Sequence, residues 1–126
     1  MSILHSHLMA TKRESSLQRR IQEALRAAFP GCFVLKFHVS EFSAAGTPDL
    51  ICCIGGYFIA IEVKVPGETP TELQLYTLKS IADAGGVALV VHSPQQAIAL
   101  VEDLLAMRPK LPERPLWATQ VYTFKE

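Results

Sequence analysis

The sequence predicts a mixed α/β layer, its elements in the order α-β-β-β-α-β-α with a C-terminal tail or strand. Three observations predict it: an amphipathic helical stripe near the N-terminus, two β-rich runs joined by Gly55-Gly56, and two helix starts marked by Thr69-Pro70 and Ser93-Pro94. At 126 residues, 49% hydrophobic and 19% charged, the chain has the length and composition of one globular domain with a substantial core. Residues 1–11 are expected to form a flexible N-terminus, and 109–126 a proline-containing tail.

In "KRESSLQRRIQEALRAA" (12–28), Leu17, Ile21, Ala24, Leu25 and Ala28 make one stripe at helical spacing, and Phe29-Pro30-Gly31 ends it. "CFVLKFHV" (32–39) is rich in β-branched and aromatic residues and reads as a strand; "SEFSAAGTP" (40–48) reads as a loop. "DLICCI" (49–54) and "YFIAIEVKV" (57–65) form a hairpin, because both glycines of Gly55-Gly56 tolerate positive φ. The next helix, within 69–86, takes Thr69 as N-cap, Pro70 at its first position, Glu72 to close a capping box and Gly85 at its end. "VALVVH" (87–92) is an apolar strand, and Ser93-Pro94-Gln95-Gln96 opens a third helix that runs to about Met107. The remaining tail ends in a further strand, as an edge of the sheet or an arm toward a partner.

Composition excludes several classes. The longest nearly continuous apolar run, Leu50 to Ile61, has two glycines in its middle; it falls short of the roughly 18 residues that cross a bilayer. The N-terminus has no basic segment followed by an apolar core of the signal-peptide kind, so the chain is expected in the cytoplasm with no membrane partner. Cys32, Cys52 and Cys53 lack metal-ligand spacing and read as small core residues in a reducing compartment. Net charge is +0, which removes any whole-chain nucleic-acid signature. Locally, Lys12, Arg13, Arg19, Arg20 and Arg26 outnumber Glu14 and Glu23 on the first helix, as a phosphate-facing patch or a solvated face would.

The hairpin carries three charges that need an explanation. A two-residue turn at Gly55-Gly56 pairs Ile54 with Tyr57, Cys52 with Ile59 and Asp49 with Glu62, so two carboxylates stand directly opposite. Like charges in that position are destabilising. Alternation puts Glu62 and Lys64 on the face begun by Phe58 and Ala60, opposite Ile59, Ile61 and Val63. A solvated Glu-Lys pair at a strand end is one reading. The other is that the paired carboxylates share a proton or hold a cation, for which a hard divalent ion, Mg2+ or Mn2+, suits oxygen ligands. Lys64 beside them would orient a water or offset charge on a phosphoryl group.

Pro48-Asp49, twelve intervening residues and then Glu62-Val63-Lys64 match the PD-(D/E)xK nuclease signature. With "GTPDL", "IEVK", "TELQ" and "AGG", the segment from about 12 to 92 resembles the VRR-NUC branch of that superfamily. The resemblance implies a restriction-endonuclease-like core and hydrolysis of DNA, selective for branched or junction structures, often by a homodimer. It implies Asp49, Glu62 and Lys64 as catalytic residues with Gln74 on the following helix, and Asp49, Glu62 and Val63 as metal ligands joined by a glutamate of the first helix. For that glutamate the chain offers Glu14 and Glu23; at about 100° per residue Glu14 lies in the stripe of Leu17, Ile21 and Leu25, and it is the candidate. Gln74 falls between the directions of Leu78 and Ile81, facing the sheet, as an amide that needs partners. Lys36 matches a basic position that touches phosphate in such nucleases, and Lys12, Arg13, Arg19 and Arg20 join it as candidate nucleic-acid contacts. His38 and His92 read as structural or surface residues, and His5 and His7 as part of the floppy terminus. Two other classes stay open: a non-catalytic nucleic-acid-binding module of the same fold, and a metal-dependent phosphoesterase acting on RNA or nucleotides.

Overall fold

The computed structural model describes residues 3–37 and 46–107, the side chains of 3–8, 10 and 11 excepted. Its elements are α1 (Ile3–Ala28), β1 (Phe33–Lys36), β2 (Leu50–Ile54), β3 (Tyr57–Val63), α2 (Glu72–Asp83), β4 (Val87–Val91) and α3 (Pro94–Met107). The order is the predicted one. His38, the loop at 40–45 and the tail at 109–126 lie outside the described residues.

The strands form one sheet in the order β1-β2-β3-β4. β1, β2 and β3 run antiparallel, β2 and β3 through a tight turn, whereas β4 is parallel to β3 and is reached through α2, because a parallel return needs a crossover. The turn is as read: Gly55 and Gly56 have φ of 59° and 85°, both left-handed, the combination that lets a two-residue loop follow the twist of its strands. Ile54 pairs with Tyr57 and Cys52 with Ile59.

One face of the sheet makes the core. Leu17, Ile21 and Leu25 of α1 and Ala97 and Val101 of α3 pack on Val34, Leu50, Cys52, Ile54, Ile59, Ile61, Val63 and Val91. The α1 stripe is therefore the one read from spacing, and burying each of its large apolar side chains contributes about 1.5–3 kcal/mol. α2 covers the other face at β3 and β4.

Three local expectations change. α1 begins at Ile3, well before Lys12, where the sequence reading starts the helical stripe. α2 is capped by Thr71, with Gln74 closing the box, in place of Thr69 and Glu72; the reason is the second bond that Gln74 makes, described below. Of the cysteines, Cys52 is buried, Cys32 partly so, and Cys53 exposed, since neighbours on a strand point to opposite faces. Burial pushes the Cys52 thiol up to about 12, so it remains a neutral core group.

Candidate active site

The hairpin register delivers Asp49 and Glu62 to the same place. β2 starts at Leu50, opposite Ile61, and Asp49 stands one step before it. Its Oδ2 accepts a 2.7 Å hydrogen bond from the Val63 N–H, and its carbonyl accepts one of 3.0 Å from the Phe37 N–H. The first bond holds the carboxylate against the end of β3, and the second ties the Asp49 backbone to the end of β1. Glu62 alternates with the core residues Ile61 and Val63, faces α2, and is only 1% exposed.

The third carboxylate comes from α1. Glu14 precedes Leu17 on the stripe that packs on the sheet and is half-buried, whereas Glu23 is exposed. One oxygen from each of Glu14, Asp49 and Glu62 lies within 4.8 Å of the other two. α1 thus adds a third acid to the pair that the hairpin register brings together.

Three acids this close are costly in a buried site. Burial, reinforced by Asp49 and then Glu14, pushes the Glu62 carboxyl up to about 8 against the opposing pull of Lys64. The Glu14 carboxyl is raised by burial first, then by Asp49, with Lys64 opposing and Glu68 adding. Lys64, itself 8% exposed, brings one ammonium, 3.8 Å from Glu62 Oε1, which cannot offset three carboxylates. Glu62 Oε2 is buried and has no hydrogen-bond partner among the described residues. A proton shared with Asp49 would satisfy that oxygen, and so would a divalent cation. All-oxygen donors in a tight cluster, one of them lacking a partner, fit Mg2+ or Mn2+. Val63 has only its main chain to offer, and the N–H is already committed to Asp49.

Gln74 holds the other Glu62 oxygen. Its Nε2 donates to Glu62 Oε1 at 2.8 Å, while its Oε1 accepts from the Thr71 N–H at 2.8 Å and its N–H donates to Thr71 Oγ1 at 3.2 Å. One amide thus starts α2 and orients the buried carboxylate; only a cap at Thr71 places it to do both.

The basic candidates line two grooves beside α1. Lys12, Arg13 and Arg20 border one of about 740 Å3, and Lys12, Arg19 and Lys36 border another of about 360 Å3. His92, read as structural, has a place here that the sequence reading missed. Its Nδ1 lies 2.9 Å from the Lys64 carbonyl, and it lines the larger groove. The available signal was the strand-helix-strand order after the hairpin: a parallel β4 with Val91 beside Val63 sets the next residues, His92 and Lys64, side by side.

No family model matches the chain, and no curated protein matches it. Among solved structures, a chain described as a VRR_NUC domain is similar to it, with a TM-score of 0.58 and 28% identity, over 71% of this chain and 94% of that one. Its fold is thus shared across nearly the whole of that domain. Sheet order, motif register and this likeness agree with the resemblance to the VRR-NUC branch of the PD-(D/E)xK nucleases read from the sequence.

Proposed function

We propose that this protein is a divalent-metal-dependent endonuclease that hydrolyses DNA phosphodiester bonds and selects branched or junction DNA. The observation that carries the reading is the convergence of Glu14, Asp49 and Glu62 within 4.8 Å, around a buried Glu62 oxygen without a hydrogen-bond partner among the described residues. Glu14, Asp49 and Glu62 would hold Mg2+ or Mn2+, with the Val63 main chain beside them. When bound, such a cation polarises a phosphoryl oxygen and makes a water more acidic. Asp49 is held for this by the Val63 N–H, and Glu62 by Gln74. Lys64, its backbone gripped by β4, presents its ammonium to the water or to the phosphate.

The grooves bordered by Lys12, Arg13, Arg19, Arg20 and Lys36 suit a polyanion read through its phosphates. Affinity should then fall steeply with salt. Branched substrates and a homodimer rest on the resemblance of the PD and ExK motifs alone, since a junction presents two strands to be cut.

The test is incubation of purified protein with Mg2+ or Mn2+ on duplex, flap and four-way-junction DNA and on RNA, beside Asp49→Ala and Lys64→Ala. We expect cutting of DNA, strongest on branched forms, and a loss of about 100-fold or more in each variant. Cutting that survives Asp49→Ala, or that is confined to RNA, overturns the reading.

A further inference from the structure

We propose that His92 joins the larger basic groove to Lys64: its Nδ1 positions the Lys64 backbone, and its Nε2 meets a nucleic-acid phosphate lying in the groove. This rests on the nuclease reading for the identity of the ligand and goes beyond it in assigning a positioning residue and a strand path.

The Lys64 peptide is gripped from both ends by β4 and its continuation. Its N–H donates to the Val91 carbonyl at 3.0 Å, and its carbonyl lies 2.9 Å from His92 Nδ1. A carbonyl only accepts, so Nδ1 carries the proton. Nε2 is the nitrogen left for a ligand, and a phosphate oxygen, which also only accepts, takes the ring in its doubly protonated form with Nε2–H donating. His92 is itself held, since its N–H donates to Gln96 Oε1 at 2.7 Å, while Ser93 Oγ accepts from the Gln96 N–H at 3.1 Å. The imidazole is a fixed part of the strand end, not a loose surface group.

Around the groove, Lys12, Arg13 and Arg20 supply positive charge from α1, with His92 and the opening turn of α3 on the other side and Glu68 as the acid. Three formal cations face one anion, and the α3 N-terminus adds to the same sign of field. A phosphate backbone is the ligand of matching charge and length for a groove of about 740 Å3. A phosphate seated against Nε2 would press on the same ring that fixes Lys64. Strand occupancy and lysine placement are then mechanically linked, while Glu14 lies one residue from Arg13 on the groove wall.

Two substitutions separate the roles. The amide nitrogen of Asn reproduces the place of Nδ1, and that of Gln the place of Nε2. His92→Asn should raise the Kd for a labelled DNA duplex, measured by fluorescence anisotropy in EDTA, by about 3–10-fold, and should lower kcat the least of the variants. His92→Gln should lower kcat by about tenfold, as expected for a misplaced catalytic group, with a smaller change in Kd. His92→Ala should show both defects. Thermal unfolding of each variant separates these effects from loss of fold. A His92→Ala protein with wild-type Kd and kcat overturns the proposal, as does an equal effect of Asn and Gln on the same parameter. Wild type that binds DNA but never cuts removes the nuclease reading, and the Kd series then decides the strand path alone. Wild type that does not bind removes both.

Discussion

Glu62 is a carboxyl that folding makes harder to ionise. Its value rises from 4.5 to about 8, chiefly through burial and then Asp49. The folded state therefore holds the proton more tightly than the unfolded chain, and stability is full below about 4.5, falls as pH rises, and levels off above about 8. In metal-free buffer the Tm should decline across that window, and Glu62→Gln, which cannot ionise, should flatten the decline; a wild-type Tm that rises from pH 5 to 8 in EDTA would contradict this. Gln74 gives a second prediction at the same scale. Gln74→Glu keeps an acceptor for the Thr71 N–H but turns the donor to Glu62 Oε1 into a like charge. Urea unfolding without metal, carried out above the raised Glu62 value so that both carboxyls are ionised, should show a loss of about 1–3 kcal/mol. The identities of these residues were readable from the chain: Asp49 and Glu62 from the hairpin register, and Glu14 over Glu23 from its place on the α1 stripe. The double role of Gln74 was not, because a cap two residues earlier, at Thr69, satisfies the same local pattern.

At the scale of elements, the glycine in "GTPD" has a physical role. Gly46 has φ of 84°, and a Cβ there would lie 2.9 Å from the Leu73 carbonyl oxygen and 2.9 Å from Thr77 Oγ1. The chain thus passes against α2 just before it reaches Asp49. Gly46→Ala must strain the backbone and push α2 away, and should cost about 1–3 kcal/mol in urea unfolding. Cleavage should fall with it, because Asp49 and Gln74 sit on the two segments being separated. A variant as stable and as active as wild type would show that the contact is unimportant. Strand identity, hairpin turn and the α3 start at Pro94 followed from alternation, paired glycines and a Ser-Pro signal. The length of α1 did not: a stripe at 12–28 shows where a helix packs, and it carries no information on how far the helix runs past the sheet to Ile3.

Across the whole molecule, the acids, the lysine and the larger groove lie near the junction of α1, the end of β3 and the start of α3. A ligand that binds only the folded carboxylate cluster stabilises it by mass action, by about 2.7 kcal/mol at a hundredfold excess over Kd. Mn2+ should therefore raise the Tm of the wild type near pH 8 and leave Asp49→Ala nearly unmoved. Equal shifts in both proteins would place the ion elsewhere. Among the described residues no helix is long and apolar enough to cross a membrane, in keeping with the composition. The sequence by itself determined the element order, the hairpin register and the pairing of Asp49 with Glu62, because each follows from local periodicity and turn chemistry. Only the tertiary structure decided that Glu14 closes the cluster, that Gln74 reaches Glu62 while capping its own helix, and that His92 grips Lys64. Those contacts join separate elements, and their geometry depends on how α1, α2 and β4 dock on the sheet, which no short stretch of chain encodes.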